Sequence, residues 1–369
     1  MPSPKPPVPN IENTATIKSE IKIEMKLLKQ ETLDKIVAQT TKNKNIQGSV
    51  FHIESADKSM SLFSSSGNIS PESHYYIASI NKLIISFITL RLWQKKAINL
   101  EEKLSNYLPN ETLNGLLVHN SKDYSGELTI LHLISHTSGL PCYLIDKRPD
   151  GKKNMDLILN GHDQSWPIDK VVSEVKKMKS KFIPGTKGKA SYSETNFRLL
   201  DRVLEVVTNK PIQVLLADVF QELEMNNSFV LPSNSADNCA PIYFKQNQID
   251  INRYWKSTHH DIVSTAADQM KFIRAFFGGK YFTPEFIEEL KKWNAIFFPF
   301  KYGIGIQKFY IPRLLSPFKA VPELIGHCGS VGSVAFYLPD KEAYITGTVN
   351  QTSNPAIVFR TMVKLVNKL

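Results

Sequence analysis

The chain has 369 residues, 42% of them hydrophobic and 22% charged, with 20 Phe and 13 Tyr. That is a globular mixture with material for one large domain or two fused subdomains, and it excludes a chain disordered over most of its length. The net charge of +10 comes from scattered lysines, and the densest group, Lys176, Lys177, Lys179 and Lys181, flanks apolar positions of a predicted helix; it reads as a solvated face, so no nucleic-acid partner is expected.

Residues 1–23 are expected to be a flexible tail, since the first twenty are rich in Pro, Ser, Thr and Asn. Neither a secretory apolar stretch nor a run long enough to span a membrane is present, and cytoplasmic residence is expected. Met25, Leu27, Leu28, Leu33, Ile36 and Val37 among charges predict an amphipathic helix over 24–43. Gly48–Ile53 and Ser59–Phe63 read as a hairpin turning at Ala56-Asp57-Lys58. The apolar run Ile77–Trp93 is long enough to be a buried helix.

A mostly helical middle follows. Helices are predicted over Thr129–Ser135, stopped by Gly139 and Pro141, and over Ile168–Met178, Ser193–Val207, Ile212–Leu223 and Ser264–Phe277. Tyr302–Phe309, Ser333–Leu338 and Ala343–Asn350 read as strands, and a closing helix runs from Asn354 to Leu369. The fold class predicted is α+β: an antiparallel sheet flanked by helices, built from about 24–98 and 300–369, with a helical subdomain inserted over about 99–299.

Cys142, Cys239 and Cys328 are odd in number and lack C-x-x-C spacing, so neither a disulfide framework nor a zinc site is expected, and no cofactor.

The chemistry-bearing candidate is Ser79-Ile80-Asn81-Lys82, an S-x-x-K pattern. Positions i and i+3 share a helix face, so a lysine one turn on can bring its amine to the serine hydroxyl. A serine in the first turn also has a free N–H for an oxyanion. The same pattern occurs at Ser19/Lys22, Ser55/Lys58, Ser173/Lys176 and Ser316/Lys319, but only Ser79 opens a long apolar helix. A charged lysine there is costly unless paired or used; the bland alternative is a capping serine followed by a snorkelling lysine.

Tyr76–Lys82, with Leu100–Pro109, Leu131-His132-Leu133-Ile134-Ser135-His136-Thr137-Ser138-Gly139-Leu140-Pro141, Tyr192-Ser193-Glu194-Thr195-Asn196-Phe197 and Gly326-His327-Cys328-Gly329-Ser330, resembles the class C β-lactamase-related serine hydrolases, in family order over roughly residues 45–355. These include class C β-lactamases, DD-peptidases, D-aminopeptidases and family VIII esterases. The resemblance implies a β-lactamase/transpeptidase-like fold with a site between sheet and helical part. It implies that Ser79 becomes acylated, with Lys82 or Tyr192 as the base. His327 stands where the family's other branch carries lysine, and could hydrogen-bond Tyr192 or the leaving group. Gly329 would let the backbone approach substrate, and the N–H groups of Ser79 and Ser330 would bind the oxyanion.

Glu194 departs from the family's Asn or Asp. It could touch substrate, or pair with Lys82 and hold it charged; an acid in a first helical turn also suits the dipole. Cys328 is read as structural, and His136 to Gly139 as a loop-shaping turn. His259 and His260 have no evident partner. The resemblance implies a serine hydrolase for a small ester, amide or D-amino-acid peptide, with a small-molecule or short peptide as its partner. A mostly neutral His327 shifts the expectation from β-lactams toward esters or amides. The alternatives are a catalytically silent binding protein and a biosynthetic acyltransferase.

Overall fold

The computed structural model describes residues 28–160, 165–231, 239–249, 260–315, 321–354 and 356–369. The expected tail and His259 lie outside them. An antiparallel sheet of eight strands runs in the order Asn294–Phe297, Phe300–Tyr302, Gln307–Phe309, Leu324–Cys328, Ser333–Leu338, Ala343–Thr348, Gly48–Ser55, Ser61–Gly67. The two ends of the sequence meet where Gly48–Ser55 pairs with Ala343–Thr348, with Ile53 opposite Ile345.

Side chains alternate across the sheet, and the two faces bury different cores. Phe51, Ile53, Phe336, Leu338 and Ile345 share one core with Leu33 and Val37 of the Gln30–Ala38 helix and with Val358, Met362 and Leu365 of the Ala356–Val366 helix. Those helical positions recur every three to four residues, the spacing of a single apolar stripe. Val50, Ala335 and Tyr344 belong to the larger second core, which includes the Asn81–Gln94 and Ala266–Phe277 helices. The Asn81–Gln94 helix is buried from Asn81 to Leu90, which explains why its sequence is apolar on every side.

Two expectations need correction. Tyr302–Phe309 is two strands, because Gly303 and Gly305 fold the chain back between them: Gly303 donates to the Ile306 carbonyl at 2.9 Å, and Gly305 has φ +73°. The sheet-bearing part also begins before residue 300. The Asn294–Phe297 strand is its edge, and the Ala266–Phe277 helix packs on its central strands. A small second sheet has Ile262–Ser264 at its centre, between Tyr75–Tyr76 and Phe229–Val230. It sits immediately before the S-x-x-K turn. Among the described residues no helix is long and apolar enough to cross a membrane.

Met362 is fully buried on the sheet face remote from Ser79. Met362→Ala should cost about 2–5 kcal/mol by urea denaturation and leave the reactivity of Ser79 unchanged; a parallel loss of reactivity at temperatures where the variant is folded would contradict the separation of the two cores.

Candidate active site

Ser79 lies in a tight turn, Ala78–Ile80, that runs directly into the Asn81–Gln94 helix. Ala78 has φ +48°, a left-handed backbone that costs a non-glycine residue about 1–2 kcal/mol. The turn is held from the sheet: Ser333 donates its hydroxyl to the Ile77 carbonyl at 2.7 Å. Gly329 presses against the same backbone. A Cβ on Gly329 would stand 2.4 Å from the Ile77 carbonyl oxygen and 2.2 Å from Ser333 Oγ. This glycine is therefore required for contact between two parts of the protein. The result is that Ser79 and the exposed Ser330 line one cavity, and neither N–H has a partner among the described residues.

Lys82 is buried, 1% exposed, one helical turn after Ser79, and donates to Ser79 Oγ at 3.2 Å. Its ammonium is gripped by both oxygens of Glu194, Oε1 at 2.7 Å and Oε2 at 2.6 Å. Glu194 begins the Glu194–Thr208 helix, where a negative charge meets the positive end of the dipole. Burial raises its carboxyl pKa, but the Lys82 charge and hydrogen bonds outweigh this and leave it below the ordinary carboxylate range. Of the two roles open to Glu194, the structure realises the pairing with Lys82. The Ser79 hydroxyl in turn donates to Glu194 Oε1 at 3.3 Å.

The Tyr192 phenol also reaches Glu194 Oε1, at 3.4 Å, and interacts with Ser79. Burial, reinforced by the Glu194 charge, pushes this phenol well above its ordinary value. A tyrosinate base is thereby disfavoured. Phe297, half-exposed on the edge strand, meets Tyr192 edge-on with centroids 6.2 Å apart.

The segment carrying Tyr192 and Glu194 is bracketed by the turn predicted to shape a loop. His136 accepts the Ser193 N–H at 3.2 Å and the Asn196 amide at 3.0 Å, both on Nδ1, and its carbonyl accepts the Ser191 N–H at 2.9 Å. Its ring meets that of Tyr192 at a tilt of 41°, with centroids 4.6 Å apart. Ser138 donates to Asn196 at 2.6 Å, and the Pro141 carbonyl accepts from Ser193 at 3.0 Å and Thr195 at 2.7 Å. Gly139 has φ +77°, and a Cβ there would strike the Phe182 carbonyl oxygen at 2.0 Å.

His327 is buried on the Leu324–Cys328 strand and gives Nδ1 to the Cys328 carbonyl at 2.8 Å. Its Nε2 has no partner among the described residues, and its ring is 6.3 Å from that of Tyr192. The expected hydrogen bond to Tyr192 is absent, because the side chain turns to its own strand. Burial, with the Lys82 charge second, holds His327 down to about 3, so it is neutral. Cys328 gives its thiol to Gln307 at 3.1 Å, and burial pushes that thiol up to about 12. Both facts fit a structural cysteine.

The cavity at Ser79 also contains residues that the sequence did not announce. His260 and Asp261 line it beside Lys82, Glu194, Leu144 and Met155. His260 Nδ1 lies 2.5 Å from Asp201 Oδ2 and 3.1 Å from the Arg198 guanidinium. Arg198 and Asp201 are spaced i, i+3 on the Glu194–Thr208 helix among its apolar positions. Two charged residues on a helix's buried face are a readable sign of an internal polar site. Among the described residues no cluster of His, Cys, Asp and Glu is placed to hold a metal ion.

A family model described as Beta-lactamase matches residues 33–363. Among solved structures, a D-stereospecific amidohydrolase from Streptomyces sp. superposes with TM-score 0.73 at 20% identity, over 90% of this chain and 98% of that one. A D-amino acid amidase from Ochrobactrum anthropi SV3 gives TM-score 0.72 at 18% identity, over 91% and 100%. EstCE1, a hydrolase with promiscuous acyltransferase activity, gives 0.72 at 17%, over 91% and 97%. No curated protein matches the sequence.

His327 sets a pH dependence of stability. Its folded value near 3 lies below its ordinary 6.5, so between the two the unfolded chain binds a proton that the folded chain refuses. Stability is then complete above about pH 6.5 and falls toward pH 3 by up to about 1.4 kcal/mol per pH unit for this one group. Urea midpoints measured from pH 7 to 5 should fall, and His327→Asn should fall less steeply; an unaltered slope in the variant would rule this assignment out.

Proposed function

We propose that this chain, which belongs to the beta-lactamase family of serine hydrolases, is an active enzyme that acylates Ser79 with a small ester or amide. The observation that carries this reading is the hydrogen-bond order at Ser79 Oγ. Lys82 donates to it, and its own proton points at Glu194 Oε1. The hydroxyl is thus oriented with a lone pair available and an acceptor for its proton already in place.

Ser79 Oγ attacks the carbonyl carbon, and its proton passes to Glu194. The carbonyl oxygen takes the negative charge and accepts hydrogen bonds that the Ser79 and Ser330 N–H groups are free to donate. Collapse breaks the bond to the alcohol or amine. Tyr192, which keeps its proton, gives it to that leaving group and recovers one from Glu194. Water then cleaves the acyl-enzyme with the roles reversed. Lys82 stays an ammonium throughout and offsets the charge on the attacking oxygen. Glu194 thus takes the place of the two bases weighed from sequence. It is a weak base at rest, and passing the proton on through Tyr192 avoids the tyrosinate that the site disfavours.

A neutral His327 offers no fixed cation for a substrate carboxylate, which supports esters and simple amides over β-lactams. The half-exposed Phe297 beside Tyr192 supplies an apolar wall for the acyl or leaving group.

A fluorophosphonate should label wild type and leave Ser79→Ala unlabelled; absence of a Ser79-dependent adduct would end the hydrolase reading in favour of a silent binding protein. Glu194→Gln should lower kcat by about 10²–10⁴-fold, the usual weight of a general base, and a variant within threefold of wild type would remove Glu194 from the proton path. On p-nitrophenyl esters, Phe297→Ala should lower kcat/KM for butyrate by about tenfold and leave acetate nearly unchanged; equal losses on both would discard the apolar wall.

A further inference from the structure

Among the described residues, carboxyl groups outnumber cations around the Ser79 cavity. Two cations stand there, Lys82 and Arg198, with three carboxyls, Glu194, Asp201 and Asp261. Lys82 is taken by both oxygens of Glu194. Arg198 lies 3.5 Å from Asp201, against His260 Nδ1 and the Trp166 carbonyl. His260 turns that Nδ1 toward Asp201, at 2.5 Å. Among the described residues Asp261 is left without a cation. It is 2% exposed and lines the cavity with Ser79, Lys82, Glu194 and Ser330. Oδ1 accepts the Tyr76 hydroxyl, and Oδ2 has no donor among the described residues.

A buried carboxyl oxygen without a donor is expensive, and it is tolerated where something else supplies the partner. Here a donor would satisfy it, and a cationic donor suits it best, because an ionised Asp261 would be a third carboxylate facing the two cations Lys82 and Arg198. The group must also reach into a narrow cavity of about 50 Å³. A primary ammonium meets these conditions, whereas a trimethylated amine has no N–H to donate.

We propose that Asp261 anchors a primary ammonium carried by the molecule that Ser79 attacks. The substrate is then a small amino-acid amide or ester with its amine free. This rests on the hydrolase reading for the word substrate, while the ammonium site itself stands on the cavity alone. Burial, with the Glu194 charge adding to it, pushes Asp261 up to about 8. An acid kept uncharged in the empty cavity would ionise against an arriving ammonium, and binding near neutral pH would release a proton.

The test uses the full chain as Ser79→Ala, so that ligands are bound and not turned over. Calorimetry compares alaninamide, in both enantiomers, with propanamide, which has the same amide and lacks the amine. At pH 7 at least one alaninamide enantiomer should bind about tenfold or more tighter than propanamide. Its binding heat should vary with the ionisation enthalpy of the buffer in the sense of proton release. Adding Asp261→Asn, which keeps the acceptor for Tyr76, should abolish both the preference and the release. Equal binding of the amine and propanamide, or a preference that survives Asp261→Asn, would overturn the proposal. If the double variant fails to fold, the buffer dependence in Ser79→Ala decides alone: no proton release with alaninamide overturns it. Fluorophosphonate labelling of wild type is scored separately, so a ligand site without labelling refutes the hydrolase and keeps the ammonium site.

Discussion

The Lys82–Glu194 ion pair governs the rest of the site. Two charges removed from water cost several kcal/mol each unless they satisfy one another, and here they do so with both carboxylate oxygens within 2.7 Å of the ammonium. Because the pair is closed, each charge beneath Ser79 is met by the other. Its field then acts on every neighbour. Its ammonium end helps keep His136 and His327 neutral. Its carboxylate end helps keep Tyr192 a phenol and Asp261 an acid. Burial is the larger cause for all four groups, and the nearer end of the pair adds to it.

Holding that pair in register is the work of neutral hydrogen bonds. Tyr192 and Glu194 are set by a turn some fifty residues earlier, through His136, Ser138 and Pro141. A neutral imidazole can accept on Nδ1 where an imidazolium cannot. The uncharged state of His136 is therefore a structural requirement of the Tyr192 segment as well as a consequence of its burial.

The sequence carries a good deal of this, and the physical reason differs by feature. The long helix after Ser79 is legible because an unbroken apolar run of that length has few alternatives, and the strands at both ends follow from alternation and turn residues. The split of Tyr302–Phe309 escapes because alternation alone does not distinguish one long strand from two short ones joined at Gly303 and Gly305. Lys82 beside Ser79 follows from helical spacing. The direction that His327 turns does not, since a strand places a side chain on a face and leaves its rotamer open. Asp261 and His260 escape because their partners are remote: Tyr76 lies 185 positions from Asp261, and Arg198 lies 62 from His260. Only the Arg198–Asp201 spacing hints at a polar site inside an apolar helix face.

The contact of Gly329 with Ile77 joins a turn near the start of the chain to a loop that leaves the ribosome some 250 residues later. Until that late strand arrives, Ser79 lacks Ser330 beside it and the sheet that holds its backbone in an unfavourable conformation. A nascent or truncated chain thus holds the Ser79 turn without the Gly329 and Ser333 contacts that brace it.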